Sequence, residues 1–405
     1  MHFLMSTNSN KRDSNFRHAA KKFLLYCLVP LFEGVGGVSC RTDEVINPTD
    51  YETLPIAARN ASDFAAGEPV GLYLLNEGNM GSNKASIDYV DFVNARYVRN
   101  IYTERNPTAV KELGDVGNDI QIYGNRLYAV INCSHKVEVM DAKTCCRIGQ
   151  IDVPNCRFIC FSGGKGYVSS YVGPVSIDPD AQLGAVFEID TATLQVTRQV
   201  SVGYQPDELD ILGDRIFVAN SGGYRAPNYD STLSVVELAS MTQVAKIPVG
   251  LNLHRVRHDR YGQLWVTSRG DYANVPARLM VVDAKNLTVV DTLDIACSDM
   301  DIVGDSLYFY STAWSSQTES NAITYGIIDV RTRQLVSSQL ITDGTESDIK
   351  VPYGIAVNPY TRDIYLTDAK NYVSSGMLHC YDKNGRKLWS IRAGDIPAHM
   401  AFVNH

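Results

Sequence analysis

The stretch Phe187 to Gly203, FEIDTATLQVTRQVSVG, reads as a strand, an acidic turn and a second strand, and it recurs along the chain. Its counterparts are VEVMDAKTCCRIGQIDVP from Val137, VVELASMTQVAKIPVG from Val235, MVVDAKNLTVVDTLDI from Met280, GIIDVRTRQLVSSQLI from Gly326 and HCYDKNGRKLWSIRAG from His379. The residues heading these turns are Asp91, Asp141, Asp190, Glu237, Asp283, Asp329 and Asp382, at intervals of 46 to 53 residues. A carboxylate suits the place because it accepts backbone N–H groups two residues on. Ahead of each unit runs another strand with an aromatic at one fixed position: Tyr73, Tyr128, Tyr167, Phe217, Trp265, Tyr308 and Tyr365. A third strand precedes that one, as in NDIQIYG, DELDILG and YGIAVNP. Four strands at this period are the signature of a β-propeller, and seven acidic turns predict seven blades in an all-β chain.

The first unit lacks its inner strand, since the chain enters at Gly71 directly into the aromatic strand. IPAHMAFV (Ile396 to Val403) parallels VPYGIAV (Val351 to Val357), so the C-terminal strand is expected to join blade one and close the ring. Closure removes the open edges that invite aggregation. A length of 405 residues taken alone suggests two or three domains. The repeat replaces that expectation with one propeller over residues 70–405.

The first 39 residues read as a leader. Lys11, Arg12, Arg17, Lys21 and Lys22 form a basic start, and an apolar run from Phe23 to Val38 follows, too short and interrupted for a membrane span. It ends in Gly37-Val38-Ser39-Cys40, which resembles the lipobox of a lipoprotein signal, with Cys40 as the acylated N-terminus of the mature chain. Residues 40–69 are polar, carry Pro48, Pro55 and Pro69, and read as a tether. The formal charge is −8, and loss of a leader with five basic and two acidic residues leaves a more acidic chain. A basic surface for nucleic acid is excluded. Of the nine cysteines, those outside the leader form no C-x-x-C pair, so no zinc site is expected; export permits one or two disulfides.

With strands lettered A to D from the ring centre, the A–B and C–D turns are short. The B–C loops are long and varied, among them SYVGPVSIDPDAQLGA, NSGGYRAPNYDS, SRGDYANVPAR and DAKNYVSSG. In an up-and-down blade, B–C and D–A loops share one face, here called the upper face, and loops on a rigid scaffold carry binding. Tyr171, Tyr224, Tyr272, Trp314 and Tyr372 offer rigid aromatic area there, and Asn220 opens one of these loops. Asn118, Asp207, His254 and Tyr353 stand at the head of A strands, beside the channel mouth. One position further on, Asp119, Arg157, Glu208, Arg255 and Asp299 alternate in sign, as a ring of inter-blade ion pairs or a polar floor beneath a ligand. No G-x-S-x-G or phosphate loop occurs, and no catalytic or metal residue is assigned. A cation held by Asp119, Asp207 and Asp299, as in lactonase-type propellers, is opposed by the interposed arginines.

The strings YLLNEGN, FVANSGG and YLTDAKN resemble the YVTN-type repeats of YncE-like propellers. The leader, the NEGN opening at Asn76 to Asn79 and the closing stretch from Thr367 to Phe402 resemble the Bacteroidota surface-propeller lipoproteins carrying the DUF5074 region. One branch of that family captures cobalamin at the cell surface and passes it to a TonB-dependent outer-membrane transporter. The resemblance implies a non-catalytic lipoprotein of the outer membrane, anchored by lipid alone and exposed at the cell surface. Cobalamin would be its bound ligand and the transporter its partner, with no cofactor. A metal-dependent, lactonase-like hydrolase and a protein-interaction scaffold are the alternatives.

Overall fold

The computed structural model describes residues 51–109, 112–315 and 320–405, with side chains from 314 to 321 left aside. The leader, Cys40 and the first part of the expected tether lie outside the described residues. Seven antiparallel sheets radiate from a common centre, six of four strands and one of five. Their inner strands contact one another in cyclic order, the strand Pro397–Asn404 touching both Gly117–Tyr123 and Pro352–Val357. The chain is therefore a seven-bladed β-propeller. Closure is as the sequence predicts: Pro397–Asn404 pairs antiparallel with Pro69–Asn76, Tyr73 facing Ala401 and Leu75 facing His399.

The blades are held together by what the repeat places between them. Seven apolar clusters each join two neighbouring blades among the described residues. The aromatic of each B strand sits in one of them; Tyr73, Tyr128 and Trp265 are fully buried. Polar links run beside the apolar ones. A carboxylate on one inner strand accepts a backbone N–H from the next blade: Asp119 from Ile159 at 3.0 Å, Glu208 from Val256 at 2.8 Å, Asp301 from Val357 at 2.8 Å. Such bonds tie strands that share no ladder and satisfy amides facing the channel. At Gly354 neighbouring inner strands run close together, since a Cβ there would lie 1.8 Å from the Ala398 carbonyl oxygen.

The acidic turns behave as read. Asp91, Asp141, Asp190, Asp283, Asp329 and Asp382 each accept the N–H two residues on through Oδ1. Glu237, one methylene longer, takes the Ser240 hydroxyl instead, at 2.6 Å. At Asp283 and Asp329 a backbone N–H is the main influence holding the carboxyl below its ordinary pKa. The described cysteines, from Cys133 to Cys380, are all free thiols, four of them buried.

One boundary is corrected. The expected tether reached residue 69, but from Tyr51 the chain belongs to the fold. Tyr51–Thr53 adds a fifth, outermost strand to blade one, pairing with Arg96–Val98. Leu54 then inserts into the cluster between blades seven and one, and Phe64 is buried under the Arg59 guanidinium at 3.9 Å. Arg59 also pairs with Glu68 at 2.6 Å. Two apolar anchors fasten an otherwise polar strap, too few to register as a strand pattern in the sequence.

Trp265 is fully buried at the junction of blades five and six, with its indole N–H donated to Asp259 at 2.9 Å. Trp265→Ala is expected to cost about 3–5 kcal/mol, read as a lowered urea midpoint. Val244→Thr, on an exposed outer strand, should stay within about 0.5 kcal/mol of the parent.

Candidate functional site

Each inner strand runs from the upper face downward, so its first residues stand at the mouth of the channel. In blade four Asp207, the second residue of Pro206–Leu212, stands there fully buried. Four side chains close on it. Oδ1 accepts the Tyr171 hydroxyl at 2.8 Å and Arg157 Nε at 3.3 Å. Oδ2 accepts Arg269 Nη1 at 3.3 Å and lies 3.2 Å from His254 Nδ1. Arg157 and Tyr171 come from blade three, His254 and Arg269 from blade five, so one carboxylate joins three blades. Arg157 also stacks on Tyr171, its guanidinium carbon 4.8 Å from the ring centre, and Tyr224 packs edge-on against Tyr171 at 6.2 Å.

Burial by itself would raise the Asp207 pKa. Arg157, the His254 hydrogen bond and Arg269 outweigh it and hold the carboxyl well below the usual range. His254 moves the other way for its class: burial, then the Arg269 and Arg255 charges, push its pKa well below the ordinary value. It is neutral at physiological pH. Its Nδ1 faces an ionised acceptor and carries the proton, which leaves Nε2 with a lone pair.

Across the mouth stands a second group. Glu77, in the B–C loop of blade one, accepts the Tyr353 hydroxyl at 3.0 Å and lies 3.5 Å from His399 Nε2. Tyr353 meets Tyr372 edge-on at 5.6 Å. Between the two groups lies Phe158, whose ring is edge-on to His399 of blade one at 5.9 Å and to His254 of blade five at 6.3 Å. Phe158 is buried and floors the mouth.

Level with Phe158 and just beyond it, the alternating charges are inter-blade ion pairs, as one of the two sequence readings has it. Arg255 bridges Glu208 at 3.9 Å and Asp299 at 3.2 Å, and Arg257 pairs with the same two at 3.3 and 3.2 Å. The sequence reading places Arg157 in that ring, but the registers with the B strands set Phe158 level with Asp119, Glu208, Arg255 and Asp299, and Arg157 level with Asp207 and His254. Asp119 makes no ion pair in the ring and accepts backbone N–H groups of Ile120 and Ile159.

The sequence candidates therefore fall into distinct places. Tyr171, Asp207, His254 and Tyr224 form the first wall; Tyr353 and Tyr372 belong to the second. Tyr272 is exposed on the rim and packs against Tyr229 at 6.4 Å. Asn118 is buried and donates to the Arg157 carbonyl at 2.8 Å, an inter-blade link. Asn220 is fully buried and donates to Ser234 Oγ at 2.9 Å within its own blade. Trp314 lies in the strand Ser306–Ser315, its side chain outside the description. Glu77, Phe158 and Arg269 were not among the candidates. Glu77 stands in the NEGN string and Arg269 in SRGDY, both charged residues on long loops, which is the signal in the sequence that marks them. Phe158 carries none, since an apolar residue on an inner strand reads as core.

Two clefts open beside this mouth on the loop of blade three. One of about 400 Å³ is lined by Met80, Cys133, His135, Asn155 and Val172 among others. The other, about 270 Å³, runs along Tyr171, Asp178, Gln182 and Gln205. Among the described residues no three His, Cys, Asp or Glu side chains converge in a metal-holding arrangement.

Residues 70–402 match the family described as Domain of unknown function (DUF5074). No curated protein matches the chain. Among solved structures, the chain is similar to a quinonprotein alcohol dehydrogenase-like protein from Bacteroides thetaiotaomicron, at 13% identity and a TM-score of 0.54, over 82% of this chain and 78% of that one. It is also similar to Kuenenia stuttgartiensis hydrazine synthase, at 16% identity and a TM-score of 0.55, over 66% of this chain and 77% of that one. At such identities the likeness is one of fold.

Replacing Asp207 by Asn leaves Arg157 and Arg269 side by side without their shared counter-charge. The expected cost is about 3–5 kcal/mol, typical of breaking a buried pair. A carboxyl with a depressed folded-state pKa stabilises fully above its unfolded value, about 4, and progressively less as pH falls below it. Asp207→Asn should therefore flatten the loss of stability between about pH 5 and 3, measured by urea denaturation at each pH. An unchanged slope would remove Asp207 as the organising charge.

Proposed function

The chain belongs to the DUF5074 family, and from that premise we propose that it is a non-catalytic ligand-capturing propeller. It is exported, anchored in the outer membrane through a lipid on Cys40, and exposed at the cell surface. Its ligand is bulky and partly flat; the corrinoid ring of cobalamin is the candidate drawn from the resemblance of its opening and closing segments to the surface propellers. Its partner is the TonB-dependent transporter that receives the ligand.

One observation carries the ligand-binding reading. Polar and aromatic side chains from blades one, three, four, five and seven converge over the Phe158 floor, on the face where the long loops lie. A rigid ring holding tyrosines edge-on and charges already hydrogen-bonded is pre-organised, which lowers the entropic cost of binding. Docking to a partner on the same face is favoured by exposed apolar side chains of the loops, among them Met80, Ile177, Leu183, Val275 and Val373. The hydrolase alternative has no such support: Asp119, Asp207 and Asp299 are each committed to backbone amides or guanidinium groups.

Titration calorimetry of residues 41–405 with cyanocobalamin should give saturable heat. Joint replacement of Tyr224, Tyr272 and Tyr372 by Ala should weaken it at least about tenfold, as for removal of aromatic anchors. Absence of heat with every corrinoid tried would sink the ligand assignment. Co-purification with a transporter in that case would leave the scaffold reading.

A further inference from the structure

The two walls of the mouth differ in charge. On the blade one and seven side, Glu77 is the charged group, surrounded by Tyr353 and His399. On the blade three to five side, two guanidinium groups share the single carboxylate of Asp207. His254 adds no charge there, being neutral. Arg157 and Arg269 meet the two oxygens of one carboxylate at 3.3 Å each, and their side chains keep 15% and 35% of their exposure while Asp207 keeps none. Each gives one N–H to Asp207, of the five a guanidinium carries. From the level of Phe158 downward the balance reverses, with Arg255 and Arg257 facing Glu208, Asp299 and Asp301. An anion entering from above thus meets attraction as far as the Phe158 floor and an acidic network beyond it.

We propose that Arg157 and Arg269 form an oxyanion-recognising wall, at which the captured ligand places a phosphodiester or carboxylate group while its flat part lies against the tyrosines. This rests on the reading of the upper mouth as the ligand site and adds the chemical class of the ligand's anchoring group. Asp207 is a positioning residue in this arrangement. Its two oxygens hold both guanidiniums from opposite blades, so that their planar forks are set before the ligand arrives, and forked N–H pairs suit an oxyanion bidentately. The partly buried setting strengthens the attraction over that of a surface arginine.

The test uses diphenyl phosphate, diphenylacetate and the neutral methyl diphenyl phosphate as probes, titrated calorimetrically into the purified protein. At least one anion should bind saturably and the neutral ester should not, and which anion binds separates phosphodiester from carboxylate. Arg269→Gln should weaken the anion at least about tenfold, while Arg269→Lys keeps part of the affinity because it keeps the charge but not the fork. High salt should weaken anion binding in the parent. Binding of neither anion, equal affinity for anion and neutral ester, or an Arg269→Gln protein that melts like the parent and binds equally well would each overturn the proposal. Should Arg269→Gln fail to fold, the comparison of anion with neutral ester decides alone. Cyanocobalamin titrated in parallel keeps the two readings apart. No corrinoid heat beside intact anion binding removes the corrinoid and leaves the wall. Corrinoid binding indifferent to Arg269→Gln removes the wall and leaves the corrinoid.

Discussion

The pairing of Pro397–Asn404 with Pro69–Asn76 is the contact on which the remaining architecture depends. Each blade buries its apolar faces only against its two neighbours, so an open row of seven would leave two faces and two inner edges in water. The closing strand removes both at once. It places Ala401 and Val403 in the cluster between blades one and two, and Met400 and Phe402 against the one between seven and one. Burial of that kind stabilises by roughly 25 cal/mol per Å² of apolar surface. The strap from Tyr51 to Glu68 fastens the outside of the same blade. Blade one is thus secured at its centre by the end of the chain and at its rim by residues that precede the repeat.

Closure also makes the mouth. Residues at the heads of inner strands are far apart in sequence and become neighbours only when the strands stand in a ring. Asp207 shows the consequence: its four partners are 36 to 62 residues away. A buried carboxylate surrounded by two arginines, a neutral histidine and a tyrosine is costly to desolvate and strongly attracted once assembled. It gives the upper face a fixed electrostatic pattern that flexible loops alone would not hold. The lower network of Arg255 and Arg257 with Glu208, Asp299 and Asp301 does the same for the channel, with Phe158 at its upper level beside Arg255.

The family match bears out the DUF5074 resemblance and the structure bears out the propeller, since both rest on scaffold positions. Those positions were legible because they are local. An aspartate heading a turn bonds to amides two residues on, and an aromatic in a B strand repeats at one place in every unit. Asn118 and Asn220 show the limit. Their types and places suited a site, yet each is spent on a backbone or blade-internal bond. Whether an asparagine at the head of a strand faces a ligand or a neighbouring carbonyl depends on the side chain across the blade boundary, which spacing does not reveal.

By itself the sequence determined the number of blades, the strand that closes the ring, the acidic turns and the face that carries the long loops. All follow from short-range hydrogen bonding and from a period of alternating apolar residues, and both are written within single units. The tertiary structure decided which charges meet. It set Arg157 level with Asp207 rather than with Asp119 and Glu208, brought Arg269 in from a loop, set Glu77 opposite, and laid Phe158 beneath them as a floor. The reason is physical: these groups interact through distances of 3 to 6 Å across a channel, and only the curvature of the closed ring sets those distances.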